Sequence, residues 1–579
     1  MAKLKKEFDA VSWRPTVAGR HHAVSSGHYL ATAAGQRILD AGGNAIDAGV
    51  TAAMALSVVQ PDIVSFGGVA PTLIYVAAEQ RVVSLAGLGY WPAAVDVDRL
   101  RREGNGAVPE GILRTVTPAA PATHIEALRR WGTISFEQAV TAAFELARDG
   151  FYVYPLLNHS IEYNGAKFDR YPENRSVFRP GGKTPPIGAV LRQENLARTI
   201  FRMIEAERAC KGDRNAKLMA ARDCFYRGSI ADDIAAFHAR EGGFVTKADL
   251  AGFEVPVEPS ISVKYKGYEV HACDVWCQGI VMLETLKTLE RLDLVAMGLN
   301  SPAYVHTLAE ALNLAFADRE AYVGDPKFTD VPVAGLLSDD YAARQRARIQ
   351  LDRAFGAMPD PGRPAGAPDV KLHLPGATKG KVPPPADTIY ACAADRHGNA
   401  YSGTLSDTSY DSPMVPGLGL LVSSRGSQSR LEPGHPSLVA PGKRPRLTPN
   451  PAMALADGKF FMAFGTPGGD IQSQSMLQVF LNVAEFGMQL QQAIESPRFG
   501  TFNFPNSFSP YEYIPGRLCM ENRIPAGTIA EMRSLGHDVE VWGAAVWIAG
   551  AVCSIKRDFS TGLLHAGADP RREAYASAW

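Results

Sequence analysis

Apolar positions recur at helical spacing from Leu30 to Ala41, where Gly42 and Gly43 supply the residues that a helix C-terminus prefers. Asn44 then stands as an N-cap before AIDAGVTAAMALSVV. That segment is apolar almost all round, which predicts a helix buried on every side, and Gly49 among its alanines permits close packing. PTLIYVA and RVVSLAG, between residues 70 and 90, read as strands. From 120 to 320 the pattern is mostly helical, with TKADLAGF a capped turn near Thr246. In SPAYVHTLAEALNLAFADREAYVGDP, from Ser301, Val305, Leu308, Ala309, Leu312 and Phe316 follow the 3.6-residue period of a helix.

The pattern then changes. Ala354 to Asp387 holds 8 Pro and 5 Gly in 34 residues, the composition of a flexible linker. It runs directly into TIYACAA, a strand beginning at Thr388, followed by the turn DRHGN and a returning strand AYSGTLS. Pro383, Pro384 and Pro385 cannot belong to a central strand, because proline fixes φ and lacks a backbone donor. Further on, KFFMAF is a strand and GTPGGD a glycine loop. Leu477, Phe480, Leu481 and Ala484 then mark one face of a helix ending at Gly487. A strand, a glycine loop and a helix N-terminus in succession can aim backbone N–H groups at an anion, and equally can be a tight turn needing positive φ. No Gly-Lys-Ser/Thr follows, which argues against a nucleotide P-loop. Helices and strands alternating in both halves predict an α/β or α+β protein with helices layered on sheet.

Composition narrows the function. Lys+Arg of 59 against Asp+Glu of 60 leaves a net charge of -1, which gives no reason to expect a nucleic-acid partner. The N-terminus has charges without an apolar stretch behind them, and no apolar run approaches membrane-spanning length, so a cytoplasmic protein without a membrane partner is expected. The 7 cysteines are scattered, with Cys273 and Cys277 in a CxxxC spacing, and read as free buried thiols. His21 and His22 have no further ligands at metal-binding spacing, and no cofactor or metal is expected.

AGGNAIDAGVTAAMALSVVQP, CFYRGSIADDIAAF, GGFVTKADLAGF, the Ser301 helix ending in GDP, DTIYACAADRHGNA, GKRPRLTPNPAM, GTPGGD, AIESPRF and GADPRREAYASAW stand in this order along nearly the whole chain. Together they resemble the γ-glutamyltranspeptidase family of N-terminal nucleophile hydrolases. The resemblance implies an α+β fold, a four-layer αββα sandwich forming one large intertwined domain. It also implies autocleavage at Asp387–Thr388 into a large fragment, 1–387, ending in the linker 354–387, and a small one, 388–579. These remain together as an αβ heterodimer, and two heterodimers can associate as (αβ)2. Thr388 is then both nucleophile and, through its freed α-amine of pKa about 7.7 to 8.0, its own base. By the same resemblance Gly468 and Gly469 supply oxyanion N–H donors, and Ser406 replaces a family threonine that hydrogen-bonds the nucleophile. Asn399 and Thr404 read as turn and strand constituents.

The resemblance fails at the positions that read the γ-glutamyl group. Leu88 stands near a family arginine, Leu447 and Thr448 replace a serine pair, and Thr408 replaces an asparagine. Arg425 and Gln428 fall where the family carries Gln and Asp for the substrate's amine, and an arginine there would repel that amine. The expected activity is therefore hydrolysis or acyl transfer on a small amide that bears a carboxylate and is not a standard γ-glutamyl compound, as in the family's oxamate amidohydrolases. Arg425 and Arg430 are the expected carboxylate partners. Tyr90, Trp91 and Tyr410 are candidate pocket walls, with Gln428, Thr408 and Thr448 beside them. The alternatives are an authentic γ-glutamyl hydrolase or transpeptidase, and an unprocessed binding protein without catalysis.

Overall fold

A computed structural model describes residues 11–370, 372, 374–383 and 388–579. Two seven-stranded antiparallel sheets form its centre. Edge to edge, the first runs Tyr575–Ala578, Ala23–Ser26, Thr388–Ala394, Ala400–Ser406, Thr72–Val76, Arg81–Leu85 and Val257–Pro259. The second runs Val17–Gly19, Leu564–Ala568, Cys553–Arg557, Lys459–Gly465, Ala452–Ala456, Tyr268–Ala272 and Ile261–Tyr265.

Side-chain alternation along the strands builds the layers. From the Thr388–Ala394 strand, Ile389, Ala391 and Ala393 point to one apolar cluster, while Tyr390, Cys392 and Ala394 point to another. The second cluster lies between the sheets, where Met453 and Ala463 of the second sheet meet Tyr390 and Cys392. On the outer face of the first sheet the Ala45–Val59 helix packs; on that of the second lie the helices Gly279–Leu289, Pro302–Tyr322 and Gln472–Ala484. The order helix, sheet, sheet, helix is the αββα sandwich. It is intertwined, because the hairpin beginning at Thr388 is inserted between strands Ala23–Ser26 and Thr72–Val76.

The Ala45–Val59 helix is buried along its whole length, as its composition predicts. Its start is fixed by a capping box in which Asn44 accepts from the Ile46 and Asp47 N–H groups and Asp47 accepts from the Asn44 N–H. A Cβ on Gly49 would lie 2.2 Å from the Tyr401 ring, so this glycine sets how closely the helix approaches the sheet. Alanine is the better helix former by about 1 kcal/mol, but overpacking typically costs about 1–3 kcal/mol. Gly49→Ala is therefore expected to lower stability. Urea unfolding checks it: a midpoint at or above that of the parent protein would refute the close-packing account.

Three elements differ from the sequence expectation. The strands Val257–Pro259, Ile261–Tyr265 and Tyr268–Ala272 interrupt the helical stretch and carry the chain from the edge of one sheet to the edge of the other. They are short, and only part of their pattern alternates. The Pro302–Tyr322 helix has no solvent face: from Tyr304 to Tyr322 every residue is buried, including Arg319 and Glu320. The Pro/Gly-rich segment is irregular, as its composition predicts, but it is tied down. Phe355 N–H donates to Glu310, Met358 N–H to the Tyr513 hydroxyl, Gly362 N–H to Asp318 and Thr378 N–H to the Tyr513 carbonyl. Asp387, half of the expected cleavage site, lies outside the described residues.

Candidate active site

Thr388 opens a core strand, buried, in register opposite Ser406. The register follows from the hairpin itself, since two seven-residue strands joined by Asp395–Asn399 pair their outer ends. Thr388 Oγ1 lies 2.9 Å from Ser406 Oγ, and Gln472 Nε2 donates to Thr388 Oγ1 at 3.5 Å. Gln472 was not legible as a site residue. Its only sequence signal is a place two residues beyond GTPGGD, at the start of the Gln472–Ala484 helix.

GTPGGD turns between the Lys459–Gly465 strand and that helix. Gly468 has φ 121, and a Cβ there would lie 2.3 Å from the Ile471 side chain, so both backbone and space require glycine. Gly469 has φ 61 and begins a short 3₁₀ turn ending at Ile471. Among the described residues neither glycine N–H is taken up by a protein acceptor. The loop is held from behind. Gln278 Nε2 donates to the Gly469 carbonyl at 3.0 Å and to the Thr448 carbonyl at 3.1 Å. Arg319 donates to Gln278 Oε1 at 2.9 Å and to Asp470 at 2.5 Å, and Ser507 donates to Asp470 through both its N–H and its hydroxyl.

Arg319 belongs to a buried network around Glu320, whose carboxylate also meets Arg446 at 2.6 Å and Arg430 at 3.2 Å. Burial alone would raise the Glu320 carboxyl, but Arg446, Arg319 and Arg430 outweigh it and hold it well below the usual range. Burial pushes the neighbouring His435 down to about 4, so it is neutral near pH 7.

On the other side of the hairpin end, Arg425 donates to Ser406 Oγ and lies 3.5 Å from Asp407 and over the Phe508 ring. Asp407 follows Ser406 with φ 121, an uncommon backbone for a residue with a side chain. Its carboxylate accepts from the Ser423 hydroxyl at 2.8 Å and from the Ser424 N–H at 2.8 Å. Burial raises the Asp407 carboxyl, and Arg425 is the main opposing influence.

A cavity of about 510 Å³ adjoins this cluster through Phe508 and Ser427. Tyr154, Tyr163, Tyr410, Trp547 and Ile548 give it a largely aromatic wall, and Arg114, Lys167 and Arg572 bring cations. Lys167 pairs with Glu110 at 2.9 Å and with Asp411 at 3.5 Å; Arg114 lies 3.7 Å from Asp411. Arg572 stacks on Trp547, with its guanidinium carbon 5.2 Å from the ring centre. Of these three cations only Arg572, in the terminal GADPRREAY segment, carried any sequence signal, and of the aromatic wall only Tyr410 did.

Several sequence-expected contacts are placed elsewhere. Of the residues expected to bind substrate, Tyr410 lines the cavity. Tyr90 does not: its ring packs on Phe253, with centroids 5.9 Å apart. Trp91 is buried, donating to Ser429 Oγ at 2.9 Å. Gln428 and Thr448 hydrogen-bond each other at 2.8 Å, and Thr408 is buried outside the cavity wall. Arg430 is committed to Glu320 and to the Tyr511 ring, 3.8 Å from its centre. Leu88 is packed between the sheets and Leu447 holds Trp276 and Gln278 through its backbone, so these positions are core. His22 is bound to Asp40 at 3.1 Å and to Gln36 at 2.9 Å, and belongs to no metal-ligand group among the described residues.

Residues 31–579 match the family model for gamma-glutamyltranspeptidase. The glutathione hydrolase proenzyme of Bacillus subtilis (strain 168) is 30% identical over 99% of this chain and 94% of its own. The acylase ACY 1 proenzyme of Pseudomonas sp. (strain SE83) is 31% identical over 90% of this chain and 88% of its own. The crystal structure of cephalosporin acylase from Bacillus halodurans superposes with a TM-score of 0.84 at 28% identity, covering 100% of this chain and 99% of that one.

Proposed function

The chain belongs to the γ-glutamyltranspeptidase family and is an N-terminal nucleophile hydrolase acting on amide bonds, and from this we propose that it cleaves itself before Thr388 and then hydrolyses or transfers the acyl group of a bulky, largely apolar amide. The observation that carries the reading is the placing of Thr388 as the first residue of a core strand, its Oγ1 held by Ser406 and Gln472.

In processing, Thr388 Oγ attacks the Asp387 carbonyl carbon and the Asp387–Thr388 C–N bond breaks. The resulting ester is hydrolysed by water, leaving a carboxylate on Asp387 and an amine on Thr388. In turnover that amine takes the Oγ proton as Oγ attacks the substrate carbonyl, and the proton passes to the departing amine. Gly468 and Gly469 N–H groups face the developing oxyanion, held there by the Arg319, Gln278 and Asp470 contacts. Water or an acceptor amine then releases the acyl group from Thr388. The proenzyme descriptions of the Bacillus and Pseudomonas relatives support the processing step. The two fragments stay paired because both sheets hold strands from each of them.

Substrate class rests on the cavity. Its volume and aromatic wall suit a group larger and less polar than glutamate, and the acylase relatives support that direction. A carboxylate on the substrate would meet Arg114, Lys167 and Arg572, competing with Asp411 and Glu110. Arg425 we read as a positioning residue for Ser406 and Asp407. Trp547→Ala is expected to raise KM for such a substrate by about 10-fold or more with kcat little changed, since a pocket aromatic contributes to binding about 1.5–3 kcal/mol. A panel of aromatic and aliphatic acyl amides, with γ-glutamyl-p-nitroanilide alongside, tests the reading. Efficient turnover of the γ-glutamyl compound in preference to every bulky amide would overturn it in favour of a glutathione-type activity.

A further inference from the structure

Three side chains that this chemistry does not use converge elsewhere. His306 and Glu310 lie one turn apart on the Pro302–Tyr322 helix. His537 joins them from the turn between the Ala526–Ser534 helix and the Asp538–Trp542 strand. His306 Nδ1 is 2.9 Å from His537 Nε2, and one ligand atom from each of the three residues lies within 4.8 Å of the others. All three residues are buried. We propose that His306, Glu310 and His537 bind a divalent transition-metal ion of the zinc class.

The surrounding hydrogen bonds orient the donors for this. His306 Nε2 lies 2.7 Å from the Gln350 carbonyl oxygen, which can only accept, so Nε2 carries the proton and Nδ1 presents its lone pair to the cluster. A backbone carbonyl in that role is a usual outer partner of a metal-bound imidazole. Glu310 accepts from Phe355 N–H at 2.9 Å through one oxygen and from Asn313 at 3.0 Å through the other. Among the described residues no lysine or arginine forms an ion pair with it. Two imidazoles and one carboxylate suit zinc, whereas calcium and magnesium favour all-oxygen sites with more ligands.

The placement suggests what the ion does. His306 and Glu310 precede Thr388 in sequence and His537 follows it, so one ion would join the parts on either side of the proposed cleavage. Gln350 and Phe355, which hold His306 and Glu310, flank the start of the Pro/Gly-rich segment, and the ion fastens that start as well. Arg319 lies thirteen residues along the helix from His306, roughly 20 Å at 1.5 Å per residue. Metal loading therefore acts on stability and fragment cohesion rather than on the acyl-transfer step.

The test uses the full-length protein, stripped with a chelator and then titrated with Zn²⁺ by calorimetry and with Co²⁺ by visible absorption. One equivalent of each is expected to bind, with Tm raised by a few degrees at about a hundredfold excess over Kd. Glu310→Gln and His537→Asn are each expected to lose more affinity than the roughly 10–100-fold that loss of an outer-shell partner costs, and to lose the Tm shift. Failure of the wild-type protein to bind either ion, or binding that survives unchanged in both variants, would overturn the proposal. The wild-type titration decides even where a variant does not fold. Thr388→Ala protein is expected to give the same zinc isotherm, so this site stands or falls separately from the nucleophile.

Discussion

Thr388→Ala is expected to run on a denaturing gel as a single chain of 62.3 kDa with turnover reduced about 10⁶-fold, the order that loss of a nucleophile costs in a serine hydrolase. Wild-type protein is expected to give two fragments of about two-thirds and one-third of the chain, with N-terminal sequencing of the smaller reading Thr-Ile-Tyr. Both expectations follow from one atom, because the proposed mechanism makes Thr388 Oγ1 the attacking group in processing and in turnover. Thr388→Ser keeps the hydroxyl and the α-amine, and is expected to process and to retain measurable activity. Ser406→Ala is the graded control. It removes the hydrogen bond to Thr388 Oγ1, worth about 0.5–1.5 kcal/mol, together with the one Ser406 accepts from Arg425, and is expected to slow both steps by about tenfold rather than abolish them. Wild-type protein that turns over as an uncut chain, or Thr388→Ala protein that remains active, would end the N-terminal nucleophile reading.

What the sequence makes legible here is what is local or repeated along it. The hairpin of Thr388 and Ser406 is readable because its two strands are adjacent and equal in length, so their outer ends must meet. GTPGGD is recognisable as a glycine turn for the same reason: positive φ at Gly468 is a local demand. The polar support is not local. Arg319 reaches Asp470 across 151 positions and Gln472 reaches Thr388 across 84, and in sequence each is only a polar residue in a helix. Helical periodicity misleads for Pro302–Tyr322, since a helix enclosed by protein on all sides can carry charged residues wherever buried partners neutralise them. Glu320 does so among three arginines. The cavity is less legible still. Its wall gathers Tyr154, Tyr410, Phe508 and Trp547 from segments far apart in the chain, each of which alone reads as an ordinary core aromatic.

Arg425 separates the two remaining accounts of the divergent substrate site. If it grips a substrate carboxylate, Arg425→Ala should raise KM while the protein stays as stable as before. The contacts favour the opposite outcome. Asp407 is wholly buried, and among its partners Arg425 is the main influence holding its carboxyl down against the effect of burial. Removing the cation from a buried pair of this kind typically costs about 3–5 kcal/mol, so Arg425→Ala is expected to lose stability by that amount. The loss also depends on pH. The folded-state pKa of Asp407 is already raised and moves further up without Arg425. Between the unfolded and folded values the native state therefore holds the extra proton, and stability falls as pH rises through that window. The variant should accordingly be closest to wild type in acid and furthest from it near neutral pH. Asp407→Asn in the same background removes the buried carboxyl and should recover part of the stability and flatten the pH dependence. Urea unfolding across pH 4 to 8 measures both. A variant as stable as wild type at every pH, with only KM changed, would return Arg425 to the substrate and remove its role in holding Ser406 and Asp407 at the nucleophile.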